Sequence, residues 1–164
     1  MKNAIVRQCQ PCTACCDGWV QMNIRGAAVY PGCACPHSTG KGCNDYANRP
    51  VDPCDNFNCG WIVPQSPLPD WMKPNDAKVM VLFNKLQWRG LPVDVAVPVG
   101  KRIPPRALNW LKQFAEQHGR PLIYTEQTVV NGQFSKDQQT IAYGPPDFQQ
   151  EITARVAQGQ RLWV

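Results

Sequence analysis

No part of this chain is continuously apolar for more than a few residues. A membrane-spanning helix needs about twenty such residues, so none is expected. The amino terminus, Met1 to Arg7, also lacks the apolar core of a secretory signal. The reading is therefore a cytoplasmic protein in a reducing compartment, with no membrane partner. Internal repeats and low-complexity tracts are absent as well. No glycine-rich loop follows a strand, as a nucleotide-type cofactor would require. Ser38 and Ser66 have no glycine elbow beside them, and the acidic residues form no pattern that pairs two carboxylates. No catalytic constellation declares itself, and whether the protein is an enzyme is left open. After Cys59 there is no cysteine at all.

The 164 residues suit one compact domain or two small ones, and 43% hydrophobic residues with six tryptophans can build a core. Sixteen prolines point to long loops. The formal charge of +5 invites a nucleic-acid reading, but it counts every cysteine as neutral. Eight thiolates around two divalent ions would remove four charges and leave about +1. No nucleic-acid partner is expected.

All nine cysteines lie between Cys9 and Cys59, in the order Cys9-x-x-Cys12-x-x-Cys15-Cys16, Cys33-x-Cys35, Cys43, Cys54 and Cys59. Cysteines three positions apart in a turn can aim both sulfurs at one ion, which is why this rhythm recurs in zinc and iron–sulfur sites. Adjacent cysteines such as Cys15 and Cys16 point in different directions and can serve different metals. Disulfides suit an exported protein, and nine is an odd number. Nine cysteines within fifty-one residues are also not the behaviour of packing residues. Metal ligation is the expectation. With so little apolar material in this stretch, bound metal would supply much of its folding free energy; structural zinc contributes roughly 10–16 kcal/mol in small peptides.

The stretch resembles the CxxCxxCC zinc- or iron-chelating family, the YkgJ-type cysteine-cluster proteins. The resemblance runs from Cys9 to Trp61. It rests on the opening Cys9-Gln-Pro-Cys-Thr-Ala-Cys-Cys16, on Cys35-Pro-His37, and on Gly42-Cys-Asn-Asp-Tyr46, Arg49-Pro50, Cys54, Phe57, Cys59 and Trp61. It implies metal binding through eight cysteines: Cys9, Cys12, Cys15, Cys16, Cys35, Cys43, Cys54 and Cys59. Cys33 is then the extra one, although Cys33 and Cys35 could exchange roles. A flagellin lysine methylase with an iron–sulfur cluster is a distant relative of that family. Its activity is not transferred to this chain.

Among the neighbours, Arg49 would offset the negative charge of a thiolate site, or else be a surface arginine held by Asp45 or Asp52. Tyr46, Phe57 and Trp61 would wrap the site and exclude water, or simply pack in a core. His37 is a minor ligand candidate, and His118 ends a helix whose dipole favours it there. Arg49, Tyr46 and Trp61 are taken as the residues that support the bound group.

A change of character falls at Pro64-Gln-Ser-Pro-Leu-Pro69, read as a linker or a strapped-down loop. Beyond it, Lys78 to Phe83 and Val93 to Val97 read as strands, and residues 105–118 as an amphipathic helix. Pro105 lies in its first turn, Leu108, Leu111, Phe114 and Ala115 form its stripe, and Gly119 ends it. Leu122 to Tyr124 is another strand, Asn131-Gly132 marks a tight hairpin, and a last helix spans about 148–157, capped by Asp147 with Gln150.

The expectation is thus an α+β protein: a cysteine-rich metal-binding module over residues 1–64, then a small strand-and-helix unit over 65–164 packed against it. Two four-thiolate sites are the simplest use of eight ligands. The triple rhythm favours an iron–sulfur cluster over zinc, which uses the same ligands. Two other readings are an iron–sulfur enzyme or electron-transfer protein acting on another protein, and a metal-stapled module whose surface binds a protein partner.

Overall fold

The computed structural model describes residues 7–160 and 162; the segment read for a signal sequence lies outside them, except Arg7. Two short strands, β1 (Met22–Ile24) and β2 (Ala27–Val29), form an antiparallel hairpin within otherwise irregular backbone. A four-residue helix, α1 (Pro74–Ala77), leads into the larger unit. There β3 (Val79–Trp88), β4 (Leu91–Pro98), β5 (Leu122–Val130) and β6 (Gln133–Tyr143) form one sheet in sequential order. Neighbours are antiparallel except β4 and β5, which run parallel because α2 (Pro105–His118) carries the chain across between them. Helix α3 (Pro146–Ala157) follows β6. The fold is α+β.

Both faces of the sheet are covered at β3 and β4, so residues 79–82 and 93–98 are buried without a break, although residues 93–97 alternate in sequence. Val79, Val81, Ala96 and Leu122 face one side, where Ala107, Leu111 and Ala115 of α2 meet Trp61, Leu68 and Met72. Met80, Leu82, Val93, Val95, Val97 and Ile123 face the other, against Phe148 and Ile152 of α3. Cys12 and Ala14 from the cysteine-rich stretch join this second layer. The two parts of the chain therefore share a core. The Gly60 amide donates to the Val81 carbonyl, Trp19 meets Phe134 edge-on with centroids 4.9 Å apart, and the Gln21 amide donates to the Lys136 carbonyl at 2.6 Å.

Several local expectations change. β3 continues past Phe83 to Trp88, through a register shift between Leu82 and Leu86 and a left-handed Asn84 at φ 56°. Its backbone amide donates to Asp94 at 3.0 Å. Asp94 is only 4% exposed and takes two bonds from Arg120, both at 2.8 Å. Leu122 to Tyr124 and the Asn131-Gly132 hairpin prove to be parts of one long ribbon, β5–β6. Pro105 and the left-handed Gly119 bound α2 as expected. In α3, by contrast, Asp147 is not the cap: the helix opens on Pro145-Pro146 without a side-chain cap, and Asp147 pairs with Arg89 at 3.2 Å. Pro146, at the first helical position, has no amide and so removes one of the unpaired donors at that end. Residues 64–69 are a strapped loop, with Leu68 2% exposed and the Ser66 hydroxyl donating to the Gly60 carbonyl.

Candidate metal centre

Turns, not regular elements, place the cysteines. The Cys12 amide donates to the Cys9 carbonyl at 2.9 Å and the Asp17 amide to the Thr13 carbonyl at 2.8 Å, so the opening motif coils tightly. Asp17 then accepts from the hydroxyls of Thr13 and Ser38 at 2.7 and 2.9 Å, fastening this coil to the loop after Cys35. The Cys35 amide reaches the Cys16 carbonyl at 2.7 Å, and Ser38 bridges to Cys43.

All nine cysteines are free thiols, and eight of them fall into two neighbourhoods. Cys9, Cys12, Cys15 and Cys59 line one cavity of about 450 Å³, with Tyr46, Phe57 and Met80 in its walls. Cys16, Cys35 and Cys54 pack together against Ile24, Val29 and Met22 of the β1–β2 hairpin. Cys43, whose loop is tied to this set through Ser38 and Cys35, acts electrostatically on Cys54. The adjacent Cys15 and Cys16 fall in different sets, yet their sulfurs lie 4.0 Å apart, within hydrogen-bonding reach of each other. Cys33 belongs to neither set: its thiol donates to the Ala28 carbonyl at 3.6 Å. Among the described residues, no three Cys, His, Asp or Glu side chains meet at a point where one ion could be held. Four sulfurs on one zinc at about 2.3 Å would stand roughly 3.8 Å apart. A single ion would therefore require the thiols to turn inward.

Burial is the main influence on the protonation of Cys9, Cys12, Cys54 and Cys59. It pushes the Cys9 thiol up to about 11, helped by the neighbouring thiols of Cys12, Cys59 and Cys16, although Cys9 lies on the open side of the cavity. Burial likewise raises Cys12, Cys54 and Cys59. Within the adjacent pair, hydrogen bonding from Cys15 to the Cys16 thiolate lowers Cys16 to about 7 and raises Cys15. The cations that oppose these rises are Lys73 at the first set and Arg25 at the second.

Arg49 does not supply that charge to the thiols. Its guanidinium pairs with Asp55 at 2.6 Å and lies 3.8 Å over the Tyr46 ring, so its partner is neither Asp45 nor Asp52. Tyr46 is 43% exposed and rims the first cavity instead of enclosing it. Trp61 is buried but lines no part of that cavity; its indole donates to the Asp70 carbonyl at 3.2 Å, and Arg7 stacks over it at 4.6 Å. Phe57 is the aromatic wall. His37 is committed elsewhere: Arg25 donates to Nε2 at 2.8 Å, so Nδ1 carries the proton and donates to Asn44 at 2.8 Å. Arg25 also pairs with Asp45 at 2.9 Å and bonds the Asn48 carbonyl at 2.8 Å, bracing the hairpin against residues 37–48. Nothing in the spacing of Arg25 or Lys73 pointed to these roles; only the folded chain brings them to the thiols.

No family profile, no curated protein and no solved structure matches this chain. Among the described residues, no helix is long and apolar enough to cross a membrane.

Proposed function

We propose that this is a cytoplasmic metal-binding protein, with its cysteines divided between two four-thiolate sites. Cys9, Cys12, Cys15 and Cys59 form the first; Cys16, Cys35, Cys43 and Cys54 form the second. The observation that carries this reading is the convergence of free thiols from separated stretches of chain on two places, four of them around one cavity. The donor set fits soft metals, since thiolates select zinc and iron–sulfur clusters alike. The cysteine pattern's likeness to YkgJ-type proteins supports the same reading.

Iron–sulfur is favoured at the first site. A cluster offers each thiolate its own iron, which suits sulfurs spread around a cavity better than a single ion does. Cys9, exposed at that cavity, favours electron transfer as the second reading, because a cluster there would be reachable from solvent. The deciding experiment is elemental analysis with visible absorbance on protein purified without oxygen. Iron with inorganic sulfide and a broad visible band is expected, and zinc in two equivalents would retain the sites while changing the metal. A folded protein free of both metals would refute the proposal. A reversible redox wave supports electron transfer, and its absence reduces the metal to a structural role.

A further inference from the structure

A second cleft, among the described residues, is larger than the thiol cavity. It lies between the β1–β2 hairpin, the turn at residues 52–56 and the sheet, with a volume of about 650 Å³. Small-molecule sites usually measure about 300–1,000 Å³ and combine apolar walls with a few convergent polar groups. Here the half-buried Val20, Met22 and Phe57 supply the apolar surface, backed by the buried Val29 and Leu82. Lys85 and Lys136 stand at it together with Asn23, Asn56, Tyr30 and Asp52. Neither lysine, nor Asp52, takes part in any ion pair among the described residues. The Lys136 ammonium is 4.4 Å over the Tyr30 ring, which holds it at the cleft wall. Two unpaired ammonium groups against one carboxylate leave a net positive charge beside an apolar floor.

We propose that this cleft binds a small organic anion, a carboxylate or sulfonate on an apolar or aromatic body. Lys85 and Lys136 take the acid group, while the half-buried Val20, Met22 and Phe57 take the body. An inorganic anion would leave the apolar floor in water, and a neutral hydrocarbon would leave both lysines without a partner. The site does not depend on the metal reading, although Met22 and Val29 also pack beside Cys16, Cys35 and Cys54, and Phe57 also lines the thiol cavity.

Fluorescence titration with anilinonaphthalene sulfonate tests this on the full chain, with metal content measured on each sample. Saturable one-to-one binding is expected. Lys85→Ala and Lys136→Ala should each weaken it about tenfold, the scale of a lost charge-assisted hydrogen bond. Ala28, exposed on the cleft wall, provides a blocking variant. Ala28→Trp should abolish binding while circular dichroism stays unchanged. Binding that is equally tight for uncharged anilinonaphthalene, or untouched by all three substitutions, overturns the proposal. Dye binding by a folded but metal-free protein would refute the metal sites and leave the cleft standing.

Discussion

Residues 7–64 contain two strands of three residues each, whereas residues 65–160 contain four strands of eight to eleven residues and helices of 14 and 12. The later region is held by continuous hydrogen-bond ladders and apolar layers on both faces of a sheet. The earlier one is held by turns, by the Asp17 and Arg25 braces, and by eight thiols grouped in two places. A segment with so few buried aliphatic side chains cannot offset the ordering entropy of its backbone by burial alone. The contrast teaches that the two regions should answer differently to metal and to mutation.

The largest effect is expected from metal removal. Cys12→Ser, or chelation of the native protein, should release metal and remove hydrogen-exchange protection from residues 7–64, while the β3–β6 ladder keeps most of its own. Bound metal contributes on the order of 10 kcal/mol to small thiolate modules. Undiminished protection of residues 7–64 after chelation would break the contrast. Arg120→Ala should do the reverse. It strands the Asp94 carboxylate, 5% exposed in its side chain, within the sheet unit. Breaking such a pair costs about 3–5 kcal/mol, read here by urea unfolding. Metal stoichiometry of the folded protein should not change.

How far each region could be read in advance follows the same division. In the sheet unit, local chemistry dominates. Pro105, Gly119 and Asn131-Gly132 act on their own neighbours, so the limits of α2 and the hairpin turn were visible in the residue order. The full lengths of β5 and β6 were not, because Thr125 to Gln127 and Lys136 to Thr140 are polar and show no alternation. In the cysteine stretch the spacing showed that Cys9, Cys12 and Cys15 would gather, as they do around one cavity. The partition into two sets was not legible, since it depends on Cys59 returning to the opening motif by way of the sheet. For the same reason Arg49, near the cysteines in sequence, turned out to serve Asp55, while distant Lys73 faces the thiols.

The seam between the regions provides an intermediate effect. Gly60 lies so close to β3 that an added methyl would stand 2.7 Å from the Phe83 ring and 2.8 Å from the Val81 carbonyl oxygen. Gly60→Ala should therefore cost about 1–3 kcal/mol, the range for overpacking. Because it also displaces Cys59, metal content should fall in parallel; a stability loss with full metal retention would show that the seam and the site are independent.

Protonation should separate metal-free from loaded protein. The Cys9 thiol is raised from its ordinary 9.0 to about 11 in the fold, so the unfolded chain loses that proton first as pH rises. The stabilisation is complete below pH 9 and gone above about pH 11. Loading has the opposite dependence: raised thiols must give up protons to bind, so metal uptake at neutral pH should acidify a weakly buffered solution. No proton release on zinc addition would mean that these thiols are not the ligands.

The smallest effect is expected at Cys33, and it sharpens the comparison within the cysteine stretch itself. Cys33 and Cys35 are two residues apart, yet the thiol of the first bonds the Ala28 carbonyl of the hairpin, and the second is buried with Cys16 and Cys54. Serine can keep the bond to Ala28, so Cys33→Ser should change stability by no more than about 0.5 kcal/mol, with full metal content. Cys35→Ser places a hydroxyl, a poor ligand for soft metals, within the second set. It should remove that set's metal while the first keeps its own, giving half the metal of the native protein by elemental analysis. Equal losses from the two substitutions would mean that the eight thiols act as one group, and that the division drawn between Cys15 and Cys16 is wrong.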